Sequence, residues 1–217
     1  ISAFSGQVGQ DDVPRLYCTD AYLNRKSAAL DDVALGDAVA ALKAARRPVI
    51  IAGNGVRIGK AYAALHDFAE SLNIPVVTSP SGKGVFAETH ALALGLYGTF
   101  GHPAANACVG QADLIVAVGT KLTASDTAYE HPALIDPCRQ TIIQLDIEPR
   151  NASWSFPADH VVIGQASVAL EAMRALAEGY DGNGRERAAK LRQPYVEQEK
   201  REAEEGAIPM SPPRLIA

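Results

Sequence analysis

Cysteine is scarce in this chain, whose 217 residues include only three, Cys18, Cys108 and Cys138. No two of them form a C-x-x-C pair, and their wide spacing argues against a disulfide framework or a zinc site. Small buried thiols in a reducing compartment explain this usage best. We therefore predict a cytoplasmic protein whose cysteines lie in the core.

The chain also lacks a long hydrophobic run and an excess of positive charge. No apolar stretch reaches the roughly 18 residues that a membrane-spanning helix needs. The formal net charge is −5, whereas proteins that bind nucleic acids neutralise phosphates with clusters of lysine and arginine. We expect neither a membrane nor a nucleic acid as a partner.

Motifs of the common catalytic sites are missing as well. The sequence contains no G-x-S-x-G nucleophile elbow and no complete G-x-x-x-x-G-K-[ST] phosphate loop, although Gly82-Lys83-Gly84 matches a part of the latter. His102 has the chemistry of a general base, but no aspartate or serine partner is evident in the sequence. A structural or surface role is the preferred interpretation of this histidine, and we assign no catalytic residue.

Short apolar strands alternate with helical patterns through the middle of the chain. Strands of this kind are typical of a parallel sheet that is covered on both faces. With right-handed crossovers, the pattern predicts an α/β fold, a doubly wound, Rossmann-like parallel sheet of about six strands with helices on both faces. Strands are predicted at 49–52, 74–78, 114–118, 141–145 and 160–163, and helices at 35–46, 60–72, 104–110, 167–177 and 185–205.

The last of these helices is rich in arginine, lysine and glutamate. Such a charged segment is typical of a helix whose surface is solvated. Because proline lacks the backbone N–H that a helix needs, we expect an interruption at Pro194.

Two features at strand ends suit a nucleotide. The strand 49–52 runs into Gly53-Asn54-Gly55, a turn that can present backbone N–H groups to a phosphate. The third glycine of the dinucleotide motif is replaced by Ile58, so a plain strand-to-helix turn explains the pattern equally well. Asp146 ends another apolar strand, where a carboxylate can accept from ribose hydroxyls or can cap a helix. Glu148 carries the same two interpretations.

Five segments, in this order and spacing, resemble the central domain of thiamine-diphosphate-dependent enzymes, the superfamily of acetolactate synthase, pyruvate oxidase and benzoylformate decarboxylase. The segments are RPVIIAGNGV (47–56), NIPVVTSPSGKG (73–84), GLYGTFGHPAAN (95–106), ADLIVAVGT (112–120) and QLDIEP (144–149). The resemblance implies a connector from a pyrimidine-binding domain at 1–34, the central domain at 35–178, and a charged linker toward a diphosphate-binding domain at 179–217.

The resemblance implies that the sequence is the middle part of a longer, homo-oligomeric lyase or transferase. Such an enzyme acts on a 2-oxo acid or a related carbonyl compound. Thiamine diphosphate and Mg²⁺ would be bound mainly by the two flanking domains, which are the expected partners. In that family the cofactor-activating glutamate and the Gly-Asp-Gly motif lie in those domains. The resemblance therefore implies a scaffold without catalytic residues of its own.

Some members of the family bind FAD or ADP over this domain. The matching cofactor-binding positions are Gly53, Asn54, Gly55, Gly101, Asn106, Gly119, Lys121, Asp146 and Glu148. The flavin-binding pattern is not fully met, because Phe100 and His102 replace a histidine and a threonine, and Lys121 and Ser125 replace two arginines. A lysine cannot reproduce the bidentate contact of a guanidinium, so the sequence disfavours FAD.

Two other functions share a similar fold. An electron-transfer flavoprotein-like domain would bind FAD and carry electrons, and an NAD-dependent deacylase would use a catalytic histidine and often a zinc-binding cysteine set. The cysteine spacing argues against the deacylase. A flavin band in the visible spectrum would favour the electron carrier or a flavin-binding synthase.

Overall fold

The computed structural model describes residue 9 and residues 29–204 of the chain. Six parallel strands form one sheet in the order β3-β2-β1-β4-β5-β6, which confirms the predicted doubly wound α/β fold. The strands are β1 Pro48–Ala52, β2 Val76–Thr78, β3 Ala93–Leu96, β4 Leu114–Val118, β5 Thr141–Asp146 and β6 His160–Ile163.

Helices cover both faces of this sheet. The helices are α1 Asp32–Ala44, α2 Asn54–Ile58, α3 Tyr62–Ser71, α4 Pro103–Gln111, α5 Ala166–Leu176 and α6 Gly184–Glu204, with single 3₁₀ turns at Pro80–Gly82 and Pro149–Asn151. Side chains of α1, α3 and α5 form one core cluster with the sheet. Side chains of α4 and α6 form the second cluster on the opposite face. No helix in the described ranges is long and apolar enough to cross a bilayer.

Strand β1 shows why the sequence folds in this way. All five of its residues are buried, since successive side chains of a strand point to opposite faces. Val49 and Ile51 join one core cluster, whereas Ile50 and Ala52 join the other. A continuous apolar run is therefore required at this position, and β4 has the same character.

Several predicted element boundaries are corrected by the structure. Strand β3 was not predicted, because its four residues include Gly95 and lie among turns. The predicted helix at 60–72 begins only at Tyr62, since Lys60 has a left-handed backbone with φ 51°. The short helix α2 was not predicted either, and the strand predicted at 74–78 begins at Val76.

The charged helix α6 differs from its prediction in two ways. It is continuous through Pro194, which lies on an exposed side of the helix. Its other side is not solvated, because Ala188 is fully buried and Arg187 donates a hydrogen bond to Pro48 O at 2.8 Å. Arg192 donates to His90 O and Ala91 O beside β3. The helix therefore packs on the domain, while the proposed linker boundary at residue 179 stays a prediction.

The cysteines only partly follow the expectation of burial. Cys108 is buried in α4, and desolvation raises the pKa of its thiol to about 11. Cys138 is exposed, in the loop before β5, which corrects the prediction for that residue. Cys18 and most of the predicted connector at 1–34 lie outside the described residues.

Candidate nucleotide site at the switch point of the sheet

A cavity of about 490 Å³ opens at the carboxyl ends of the strands. The strand order reverses between β1 and β4, and ligands of open α/β sheets bind at such a switch point. The lining residues are Asn54, Gly55, Ile58, Gly59, Ser81, Gly119, Thr120, Lys121, Thr123, Asp126, Leu145, Asp146, Ile147, Asn151, Gly164, Gln165 and Ala166. Five of the nine residues predicted from the sequence are among them, namely Asn54, Gly55, Gly119, Lys121 and Asp146.

The glycine turn after β1 packs against the turn after β4. The N–H of Gly53 donates to Val118 O at 2.9 Å, and the N–H of Gly55 donates to Gly119 O at 2.9 Å. A Cβ atom on Gly55 would lie 2.5 Å from the Cα of Gly119. These glycines are thus required by backbone packing, and two N–H groups of the predicted phosphate cradle are already bonded within the protein.

Asp146 offers a carboxylate acceptor to the cavity. It ends β5 and is 7% exposed. Its Oδ1 accepts from the N–H of Glu148 at 2.9 Å and from Asn151 Nδ2 at 3.0 Å. No hydrogen bond from the described part of the chain reaches Oδ2, so this oxygen can accept from a hydroxyl group of a ligand.

Lys121 supplies the positive charge of the lining. Its Nζ lies 4.7 Å from the centroid of the Trp154 ring. Two carboxylates, Asp126 and Asp146, also line the cavity. Gln165 and Ala166 begin α5, and no side chain caps that helix, so its dipole adds partial positive charge at the cavity.

Glu148 does not line the cavity. Its side chain accepts from the N–H of Arg150, and its two carboxylate oxygens accept from Arg150 Nε at 2.9 Å and Nη2 at 3.0 Å. These bonds to Arg150 lower the pKa of the Glu148 carboxyl to about 2. Glu148 therefore acts in the structure as the cap of the short turn at Pro149–Asn151.

Gly101 and Asn106 lie away from the switch point. Asn106 accepts from the N–H of Gly98 at 2.8 Å and donates to Gly98 O at 3.0 Å, which fixes the loop before α4. Gly101 lines a second cavity of about 650 Å³ between β3 and α6. His102 is the N-cap of α4 and accepts from the N–H of Ala104, which agrees with the structural role preferred for it.

Sequence reasoning missed part of the lining. Gly164, Gln165 and Ala166 follow β6 and begin α5, and the strand-glycine-helix order at Gly164 repeats the pattern that drew attention to Gly53. Asp126 comes from a loop and Asn151 from the 3₁₀ turn at Pro149–Asn151, and neither stretch of sequence carries a comparable signal. Gly53 does not line the cavity, but it packs against the backbone of Gly119, which does.

The described residues do not fit a cofactor held through a metal ion. Among residues 29–204, no group of three or more His, Cys, Asp or Glu side chains could hold a metal ion.

Comparisons with known proteins agree with the observed fold. Residues 35–173 match the family model described as thiamine pyrophosphate enzyme, central domain. The chain is 32% identical over 162 residues to a 3D-(3,5/4)-trihydroxycyclohexane-1,2-dione hydrolase of Clostridium perfringens, covering 72% of this chain and 24% of the relative. It is 36% identical to the acetolactate synthase isozyme 3 large subunit of Escherichia coli, covering 64% of this chain and 24% of the relative.

A solved structure supports the same assignment. The fold is similar to that of a Mycobacterium smegmatis protein described as a thiamin diphosphate-dependent enzyme, with a TM-score of 0.59 and 26% identity over 73% of this chain and 30% of that one. The chain thus spans about a quarter of the length of the two curated relatives named above. The chain belongs to the thiamine pyrophosphate enzyme family, in which it corresponds to the central domain.

Proposed function

We propose that the protein containing this domain is a thiamine-diphosphate-dependent lyase or transferase that acts on a 2-oxo acid or a related carbonyl compound. The support is the family match together with relatives named as acetolactate synthase and as a dione hydrolase. When bound, thiamine diphosphate supplies the carbanion stabilisation for such chemistry. The cofactor and Mg²⁺ would be held by the pyrimidine-binding and diphosphate-binding domains, in a cytoplasmic homo-oligomer.

The central domain has two roles in this proposal. It orients its neighbours as a rigid scaffold, and its switch-point cavity binds the ADP portion of a nucleotide. The nucleotide role is supported mainly by the position of Asp146. This residue is buried at the carboxyl end of β5, and its Oδ2 is available to accept from a ligand hydroxyl. The cavity volume of about 490 Å³ lies within the range of roughly 300–1,000 Å³ that is usual for small-molecule sites.

The FAD alternatives receive no support from the structure or from these relatives. Gly101 and Asn106, two of the positions matched to family members that bind FAD or ADP, do not line the cavity. Phe100 stands where that pattern has a histidine, and its side chain is 83% exposed. We therefore propose ADP, without a flavin, as the ligand to test.

Isothermal titration of the 217-residue chain with ADP tests the nucleotide role. We expect Asp146→Asn to weaken ADP binding about tenfold, since the side chain keeps its size while Oδ2 is replaced by a donor. Asp67→Asn, an exposed change on α3, is the matched control and should leave binding unchanged. Absence of ADP binding to the unaltered chain, or equal binding by Asp146→Asn, would contradict the proposal.

The role of the whole protein needs a separate experiment. The intact parent protein, supplied with thiamine diphosphate and Mg²⁺, should turn over a 2-oxo acid, whereas the 217-residue chain alone should not. Turnover by the chain alone would show that it is more than a scaffold. A flavin absorption band in the purified chain would instead favour the electron-carrier or the flavin-binding alternative.

A further inference from the structure

We propose that Trp154 and Gln144 are positioning residues that hold Lys121 as the phosphate-selective group of the switch-point cavity. This inference rests on the proposed nucleotide role of that cavity. It adds two residues that neither the sequence nor the cavity lining indicates.

Trp154 restricts the Lys121 side chain. A lysine has a flexible four-carbon stem, so a solvated ammonium group must lose considerable freedom before it can bind an anion. Here Nζ lies 4.7 Å from the centroid of the Trp154 ring, and an aromatic face attracts a cation at this distance. Lys121 lines the cavity whereas Trp154 does not, so the ring restricts the ammonium without itself taking up space in the lining.

Arg150 prevents Glu148 from competing for that charge. Glu148 is close enough to Lys121 for the two charges to attract each other, and a carboxylate bonded to the ammonium would block phosphate binding. Both oxygens of Glu148 instead accept from the guanidinium of Arg150, at 2.9 and 3.0 Å. The bidentate pair occupies Glu148, so the positive charge of Lys121 remains for a ligand.

Gln144 joins the two loops that carry the pair. Its side chain is 2% exposed in β5, and its Nε2 donates to Thr120 O at 3.1 Å and to Asn151 O at 2.9 Å. Its Oε1 accepts from the N–H of Ser153 at 2.8 Å. The buried side-chain amide of Gln144 thus fixes both Thr120, which precedes Lys121, and Ser153, which precedes Trp154.

The bond to Gln144 also stabilises an uncommon backbone conformation. Ser153 has a φ of 54°, in the left-handed region that costs a residue other than glycine energy unless its surroundings hold it. The turn at Ser153 directs the chain into Trp154. The hydrogen bond from Ser153 N–H to Gln144 therefore fixes the backbone next to the ring that contacts Lys121.

The affinity ratio of ADP to adenosine measures phosphate selectivity. We expect the 217-residue chain to bind ADP more tightly than adenosine, and Lys121→Met to lower this ratio about tenfold by weakening ADP alone. Trp154→Ala should lower it about threefold, and Trp154→Phe should restore most of the loss. Because only the phosphate contact is ionic, added salt should weaken ADP binding by the unaltered chain more than by Lys121→Met.

A second readout needs no ligand. The sequence contains a single tryptophan, so its fluorescence reports Trp154 alone. Lys121→Met should change this emission in the free chain, whereas Lys190→Met, an exposed lysine on α6, should not. Gln144→Met should change it too, and circular dichroism must first show that this variant folds. If it does not fold, the surface variants of Lys121 and Trp154 decide the question.

The outcomes separate the two proposals. If ADP binds and requires Asp146, but the ratio of ADP to adenosine is unchanged in Lys121→Met and Trp154→Ala, the positioning inference is overturned and the nucleotide role survives. If neither ADP nor adenosine binds to the unaltered chain, both are overturned. A Trp154 emission that is insensitive to Lys121→Met also counts against the positioning of Lys121 by the ring.

Discussion

Gly119 and Gly55 pack backbone against backbone, so closely that a Cβ atom on Gly119 would lie 2.6 Å from the Cα of Gly55. Gly119 also has a φ of 59°, in the left-handed region. The two turns follow β1 and β4 at the edge of the cavity, and they lie on either side of the point where the strand order reverses. The geometry of the candidate site therefore depends on the absence of side chains at these two positions.

We expect Gly119→Ala to lower the free energy of unfolding by at least about 2 kcal/mol, because it adds both backbone strain and a collision with fixed backbone atoms. Gly36→Ala is the matched control, since nothing lies within 4 Å of the place that a methyl group would take at this position of α1. That change should stabilise the helix by about 0.5–1 kcal/mol. Urea denaturation measures both, and a tolerated Gly119→Ala would refute the close packing.

The sheet was predictable because burial on both faces leaves a clear pattern. Strands β1 and β4 consist of apolar residues alone, and each is bounded by turn or helix signals. Strand β3 left no such pattern, since its pairing with β2 shifts register between Val76 and Val77 and its four residues include Gly95 with φ 81°. Its place in the sheet is decided by tertiary contacts that four residues cannot encode locally.

The candidate site was predictable in part. Asp146 was indicated by its place at the end of an apolar strand and Lys121 by the family resemblance, and both line the cavity. Trp154 and Gln144 were not, because their roles arise from hydrogen bonds and a ring contact between two loops that are distant in sequence. Likewise Asn106, one of the predicted positions, lies in α4 and bonds to Gly98 in the loop before that helix.

Arg187 supplies a partly buried hydrogen bond that holds α6 on the domain. Its guanidinium donates to Pro48 O at 2.8 Å, and desolvation by burial lowers its pKa. Arg187→Met should lower the free energy of unfolding by about 1–3 kcal/mol, since a buried carbonyl at the start of β1 loses its charged donor. Arg174→Met, an exposed change on α5, should stay within about 0.5 kcal/mol. Equal effects of the two changes in urea denaturation would show that α6 is not held through Arg187.

Two tyrosines differ in whether the hydroxyl group has a partner. The Tyr97 hydroxyl is buried and has no hydrogen-bond partner among the described residues, and burial, aided by the nearby Asp126, raises its pKa. The Tyr180 hydroxyl donates to Ala45 O at 2.8 Å. We expect Tyr97→Phe to leave stability unchanged or to raise it, because it removes an unpaired buried polar group.

Tyr180→Phe should instead lower the free energy of unfolding by about 1 kcal/mol, since it removes a formed hydrogen bond. Both variants delete the same single oxygen, so their difference in thermal unfolding isolates the effect of the partner. Destabilisation by Tyr97→Phe equal to that by Tyr180→Phe would mean that the Tyr97 hydroxyl has a partner in solution.

The pair of Glu148 and Arg150 predicts how stability changes in acid. Hydrogen bonds from Arg150 lower the pKa of the Glu148 carboxyl from 4.5 to about 2. A carboxyl whose pKa is lowered by folding stabilises the folded state above its unfolded pKa, and this contribution is lost as the pH falls through 4.5 toward about 2. Arg150→Gln removes the charged donor, so we expect the pKa of Glu148 to rise toward its ordinary value.

Carbon-13 NMR titration of the Glu148 carboxyl follows that pKa directly, and unfolding at a series of acidic pH values follows the stability. In Arg150→Gln the folded and unfolded pKa values of Glu148 should be closer together. The chain should therefore lose less stability in acid through Glu148 than the unaltered chain does. Both groups are on the surface, with the Arg150 side chain 85% exposed, so the effect should shrink further in high salt. A Glu148 pKa that is the same with and without Arg150 would show that the bidentate pair does not form in solution, and would also remove the reason why Glu148 leaves Lys121 available to a ligand.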